Sequence, residues 1–88
     1  MEIINSKKSK LKNVDFNNLS FGTFFSDHMF MCKYSNGSWK NPKILPYGSI
    51  SLDPSISSLH YGQAVFEGMK AYKDSEGKVW LFRPEENF

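Results

Sequence analysis

The dipeptide Asn36-Gly37 is the feature that most restricts how this chain can fold. Asn and Gly both tolerate the positive φ angles that a two-residue turn between antiparallel strands requires. The flanking residues suit strands, so the sequence predicts a hairpin with strands at residues 29–34 and 38–44. Pro42 has no N–H to donate to a ladder, so we expect the second strand to lie at a sheet edge or to contain a bulge.

A second hairpin is predicted close to the end of the sequence. Residues 74–77, Asp-Ser-Glu-Gly, are typical of a turn, and they separate two short stretches with strand-like composition, residues 69–73 and 79–83. The pattern therefore predicts a second antiparallel pair.

The segment between the two hairpins has helical spacing. Leu59, Gln63 and Phe66 fall near one face of a helix, and the serine pair at residues 57–58 provides a good N-cap. Gly68 is expected to end this helix in the left-handed conformation. The predicted fold class is therefore α+β, with two antiparallel β-hairpins and a short helix between them.

Charge is concentrated at the start of the chain. Four lysines and one glutamate give the first thirteen residues +3 of a total net charge of +2, so the remainder carries −1. We predict a polar, lysine-rich tail at residues 1–18 and a folded part at residues 19–88. A nearly neutral folded part disfavours nucleic-acid and membrane partners.

Length and cysteine content further restrict the kind of protein that this chain can be. A chain of 88 residues buries only about 60–65% of its unfolded surface, so its own stability would be marginal. Cys32 is the single cysteine, without a disulfide partner or metal-ligand spacing around it, and no apolar run approaches the roughly 18 residues of a membrane span. We expect a cytoplasmic protein. A mitochondrial location stays open, although the arginine enrichment of import signals is missing.

The motif at residues 59–70 is more specific than any of these patterns. It joins Leu-His-Tyr-Gly to Phe-Glu-Gly through two variable positions and one apolar residue. This combination resembles the branched-chain amino acid aminotransferases, which are pyridoxal-phosphate enzymes of fold-type IV. Residues 21–29 and 81–85 resemble flanking segments of the same family in the same order. The D-amino acid aminotransferases and aminodeoxychorismate lyases share that fold but usually lack the combination.

The resemblance implies roles for four residues. It places Phe21, Tyr61 and Phe66 along the substrate side-chain pocket, and it places Arg83 at the phosphate of pyridoxal phosphate. Residue type alone instead favours structural roles that involve no ligand. Aromatic side chains usually pack in cores, and an arginine beside glutamates usually forms a surface ion pair.

Lys70 directly follows the motif, but the Schiff-base lysine of the family lies far downstream. We therefore expect Lys70 to be a solvated strand residue, and we expect no catalytic residue among these 88. Glu67 is predicted to orient Tyr61 or a neighbouring backbone amide, or else to be an ordinary turn residue.

The resemblance implies part of the small N-terminal domain of a two-domain aminotransferase, which stops where a helix begins at Pro84. Such a piece would be inactive alone. It would act with the C-terminal domain of its own chain, as a homodimer, on branched-chain amino acids and 2-oxoglutarate. Two other classes stay open from the residues: a stand-alone, non-catalytic module that binds a small molecule or protein, and single-stranded nucleic-acid binding through interleaved aromatic and basic residues at 39–47.

Overall fold

The computed structural model describes all 88 residues, which group into two units, Met1–Ile50 and Ser51–Phe88. The first unit holds a three-stranded sheet, and the second holds a two-stranded sheet and the α-helix. The α+β class predicted from the sequence is confirmed at this level.

The first sheet consists of β1 (Glu2–Ile3), β2 (His28–Ser35) and β3 (Ser38–Pro46), in the order β1-β3-β2. Strands β2 and β3 are antiparallel, and Ser35 pairs with Ser38 across the predicted two-residue turn. Both turn residues have positive φ, 49° for Asn36 and 76° for Gly37. The turn chemistry of Asn-Gly therefore fixes this register.

A bulge interrupts the pairing of β2 and β3 beside Pro42. Met31 pairs with Lys43 and Lys33 with Lys40, so β3 uses one residue more than β2 over this interval. Asn41, in the bulge, has a φ of 53°. The predicted bulge is confirmed because Pro42 sits where no ladder donor is needed. The edge alternative is wrong, since β3 is the central strand.

Strand β1 occupies the other side of β3, and no pattern in the sequence had indicated it. Glu2 and Ile3 pair in parallel with Lys43 and Ile44, and the N–H of Ile4 donates to the carbonyl of Ile44 at 2.8 Å. The Lys43 ammonium lies 3.3 Å from the Glu2 carboxylate. The start of the segment predicted as a polar tail therefore contributes a strand.

The α-helix of the second unit, α1, spans Ser57–Tyr61 and is shorter than predicted. It ends at Gly62, which adopts the left-handed conformation with φ 60° and ψ 24°. The predicted end at Gly68 is wrong because Gly62 enters this conformation at no steric cost six residues earlier. Gln63 and Phe66 consequently lie outside the helix.

The second sheet pairs β4 (Ala71–Lys73) with β5 (Val79–Leu81) in antiparallel register, with Ala71 opposite Leu81. Asp74 organises the connecting turn, since its carboxylate accepts the backbone N–H groups of Glu76 and Lys78 at 2.9 Å and the Trp80 indole N–H at 2.8 Å. These bonds, led by that from Trp80, lower the pKa of Asp74 below its ordinary value.

No side chain in the chain is buried. The half-buried apolar residues of the first unit lie mainly on β2 and β3: Met29, Met31, Ile44 and Leu45. In the second unit only Ile56, Pro84 and Asn87 are half-buried. Neither unit therefore has a closed hydrophobic core. No helix has both the length and the apolar character to cross a membrane.

Candidate functional site

The motif resemblance centres on Tyr61 and Phe66, which lie on either side of the helix end. Tyr61 is the last residue of α1, and its ring centroid is 6.2 Å from that of His60. Phe66 lies in the irregular stretch between α1 and β4. The two side chains are 84% and 95% exposed, so neither packs into a core of the second unit.

Phe21 belongs to the first unit, in a turn where the N–H of Thr23 donates to the carbonyl of Ser20 at 3.3 Å. Its side chain is fully exposed. The core packing that residue type alone favours for Phe21, Tyr61 and Phe66 is therefore wrong within this chain. Their predicted role as substrate-pocket residues stays a prediction.

Arg83 combines an unusual backbone conformation with an exposed cationic side chain. It lies two residues after the end of β5, and its φ of 44° and ψ of 55° lie in the left-handed region. A side chain other than Gly, Asn or Asp rarely occupies this region, and the following Pro84 restricts the backbone further. Such strain costs on the order of 1–3 kcal/mol and is concentrated at functional sites.

The guanidinium of Arg83 lies 3.1 Å from the Glu86 carboxylate, with both side chains more than half exposed. This is the surface ion pair that residue type alone favours. An exposed pair of this kind contributes roughly 0–1 kcal/mol, so a stronger anion can displace Glu86. Beside the pair is a shallow cavity of about 260 Å³, which Phe82, Arg83, Glu86 and Asn87 line.

Glu67 forms the best-defined polar contacts of the motif. Its Oε1 accepts the backbone N–H of Gly68 at 2.9 Å and the side-chain N–H of Asn87 at 2.7 Å. The bond from Asn87, followed by that from Gly68, lowers the pKa of Glu67 below its ordinary value. Of the partners predicted for Glu67, the structure shows a neighbouring backbone amide and not Tyr61, and a contact to the next residue also fits an ordinary turn residue.

Asn87 was not predicted from the sequence. Its side-chain amide donates to Glu67, twenty residues earlier, and to the carbonyl of Gly68 at 3.1 Å. Pairing across the β4–β5 hairpin brings these residues together, and the position of Asn87 just past a helix start carries no signal of such a partner.

Lys70 immediately precedes β4, and its ammonium lies 5.2 Å from the centroid of the Tyr72 ring. Its side chain is exposed, as predicted, but the predicted strand position is wrong because β4 begins only at Ala71. The cation is placed over the neighbouring aromatic ring on the strand, a common surface contact.

The first unit contains a second feature that the sequence did not reveal, an apolar cavity of about 450 Å³. Its walls come from the N-terminal segment and the stretch before β2, including Leu11, Val14, Phe16 and Phe24. Asp27 joins the two walls, because its carboxylate accepts the Ser9 hydroxyl at 2.6 Å and the Lys10 N–H at 2.9 Å.

Comparison with known proteins assigns a class to this chain, although no family model matches it. "Branched-chain-amino-acid transaminase 1" of Bacillus subtilis is 53% identical over 83% of the chain and 21% of that protein. "Branched-chain-amino-acid aminotransferase 2" of the same organism is 48% identical over 99% of the chain and 23% of that protein. "Branched-chain-amino-acid aminotransferase" of Mycolicibacterium smegmatis is 48% identical over 80% of the chain and 19% of that protein.

Identity at this level over so much of the chain reflects common descent. The class of protein that these relatives share is the aminotransferases. Within that class, the chain is homologous to a segment of the branched-chain-amino-acid aminotransferases. It spans about a fifth of the length of these relatives. The recognition based on the Leu-His-Tyr-Gly and Phe-Glu-Gly motif is confirmed.

Proposed function

We propose that this chain forms part of the small N-terminal domain of a pyridoxal-phosphate-dependent branched-chain amino acid aminotransferase. The whole enzyme transfers the amino group between leucine, isoleucine or valine and 2-oxoglutarate. The observation that carries this proposal is the 48% identity to a Bacillus subtilis enzyme of that name across 99% of the chain. The motif at residues 59–70 lies within this match.

Phe21, Tyr61 and Phe66 form the apolar wall for the substrate side chain in this proposal. A branched aliphatic group needs an apolar surface and few polar groups around it. All three rings are at least 84% exposed, so they are free to contact a ligand or the remainder of the protein.

Arg83 is the phosphate contact of the cofactor in this proposal. Its planar guanidinium matches a phosphate, and its left-handed backbone holds the base of the side chain in one direction. The exposed contact with Glu86 is weak enough for a dianion to replace it. One guanidinium would satisfy only part of the hydrogen-bonding capacity of a phosphate, so further donors would come from elsewhere in the enzyme.

Pyridoxal phosphate, when bound, supplies the electron sink for amino-group transfer. The residues of this chain bind and orient, and none of them is assigned a proton transfer. The covalent lysine, the other phosphate donors and most of the cofactor pocket belong to the C-terminal domain, and a homodimer completes the enzyme. The free Cys32 suits the reducing cytoplasm, where we place the protein.

The test is an amino-donor panel with the full-length protein and added pyridoxal phosphate. Leucine, isoleucine and valine should each yield glutamate from 2-oxoglutarate, whereas aspartate should yield none above background. The expected preference follows from the apolar wall, which leaves a second carboxylate without a partner. Failure of all three branched donors, with aspartate active or inactive, would overturn the proposal.

A further inference from the structure

We propose that Asn87 is a positioning residue, which holds the turn carrying Arg83 against the Glu67-Gly68 segment and so fixes the spacing of Arg83 and Phe66. This inference rests on the proposed function, because it concerns the two sides of the same site. Asn87 itself contacts neither substrate nor cofactor in this account.

The contacts of Asn87 have the geometry of a two-point clamp. One side-chain nitrogen donates to the Glu67 carboxylate at 2.7 Å and to the Gly68 carbonyl at 3.1 Å. The same carboxylate oxygen also accepts the N–H of Gly68 at 2.9 Å. Hydrogen bonds to a charged acceptor are about twice as strong as neutral ones. Asn87 is half-buried in a unit where almost every side chain is exposed.

The clamp lies where the hairpin offers no other restraint. Backbone pairing of β4 and β5 ends at Ala71 opposite Leu81. Residues 67–68 precede that point and residues 83–87 follow it, so the two segments leave the hairpin side by side. Open hairpin ends fray readily, and the side chain of Asn87 joins these two ends.

The two joined segments carry the residues assigned to opposite parts of the site. Phe66 immediately precedes Glu67, and Arg83 is the N-cap residue of the 3-10 turn Pro84–Asn87, which ends at the clamp. A loose clamp would let the substrate wall and the phosphate contact shift relative to each other. Shifts of about 1 Å at a catalytic site can cost on the order of a hundredfold in rate.

The first arm of the experiment compares two variants of the full-length enzyme, Asn87→Ala and Glu85→Gln. Glu85 lies on the same turn, but its side chain makes no hydrogen bond or ion pair, which makes it the matched control. We expect Asn87→Ala to raise both KM for leucine and Kd for pyridoxal phosphate roughly tenfold, the effect of losing one hydrogen bond to a charged group. Glu85→Gln should leave both constants unchanged.

The second arm uses Asn87→Asp, which keeps the shape of the side chain and places a carboxylate against Glu67. Two carboxylates at this distance cannot both ionise readily, so one pKa of the pair rises. The other charged groups on the turn are Arg83, Glu85 and Glu86, and Asn87→Asp leaves all three unchanged. The KM ratio of Asn87→Asp to wild type should therefore fall as pH decreases, because a shared proton restores a hydrogen bond to Glu67.

The outcomes separate the two proposals. If the wild-type enzyme is active and Asn87→Ala has the same KM for leucine and Kd for pyridoxal phosphate as Glu85→Gln, the clamp alone is overturned. A KM ratio of Asn87→Asp that stays constant with pH would do the same, and this arm also serves if Asn87→Ala fails to fold. A wild-type enzyme that produces no glutamate from branched donors would instead overturn the proposed function.

Discussion

Arg83 is the residue at which charge and backbone strain coincide. Three residues other than glycine have positive φ, and two of them are asparagines, which tolerate this region well. Arg83 is the third, with a φ of 44° just before a proline. A conformation of this kind costs on the order of 1–3 kcal/mol, and such strain is concentrated at functional sites, which makes Arg83 the first residue to test.

Arg83→Ala in the full-length enzyme should weaken pyridoxal-phosphate affinity roughly tenfold or more, since a charge-assisted contact to phosphate is lost. Lys70→Ala is the companion variant, because Lys70 contacts only the exposed Tyr72 ring. It should retain wild-type affinity for pyridoxal phosphate. Borohydride should trap as much cofactor covalently in this variant as in the wild-type enzyme. Cofactor titration and borohydride trapping measure the two effects. Unchanged affinity in Arg83→Ala would show that Arg83 is not the phosphate contact. Loss of trapped cofactor in Lys70→Ala would show that Lys70 is not merely a solvated lysine.

Asp27 gives a pH prediction at the same scale. The Ser9 hydroxyl, followed by the Lys10 N–H, lowers the pKa of Asp27 below its ordinary value. The bonds to Ser9 and Lys10 are therefore fully present above the unfolded pKa of about 3.9 and are lost as pH falls through the lower folded value. The Lys10 amide should lose exchange protection in that window. In Asp27→Asn, which keeps an oxygen acceptor, this pH dependence should vanish. Its persistence would contradict the assignment.

At the scale of elements, positive φ angles decide where strands turn and where the helix ends. The two-residue turn at Asn36-Gly37 and the end of α1 at Gly62 both use the left-handed region. These short-range rules act within a few residues, independently of the tertiary surroundings.

Gly37→Ala should destabilise the β2–β3 hairpin by about 1 kcal/mol, because its φ of 76° is unfavourable for a residue with a Cβ. A Cβ at Gly37 would meet nothing within 4 Å, so the cost is conformational. Gly48→Ala is the control, since its surroundings are equally open and its φ is not positive. Denaturant unfolding of the full-length protein measures both. Equal stability of the two variants would show that the turn does not need this conformation.

Sequence reasoning succeeded for elements set by local chemistry. The turn followed from the two residues Asn36 and Gly37, and the bulge followed from Pro42 alone. It failed for the length of α1, because Gly62 competes with the helical spacing of the residues beyond it. It also missed β1 and the Asn87 clamp, which depend on partners about forty and twenty residues away. The motif identified the family, but nothing local indicated which residues hold the site residues in place.

At the scale of the whole molecule, the main property is the absence of a buried core. Rings and aliphatic side chains that normally supply folding free energy stay exposed in both units, including Phe21, Val65, Phe66 and Phe82. Apolar surface of this extent usually contacts further protein. In the enzyme that we propose, the remainder of the protein covers this surface.

The proposal that these residues belong to a larger enzyme can be tested by measuring the intact mass of the denatured protein isolated from its source. We expect more than four times 10.2 kDa, because 99% of this chain corresponds to 23% of a relative. A mass near 10.2 kDa would contradict it, since a protein of only these residues would lack the domain that we assign to the covalent lysine and most of the cofactor pocket.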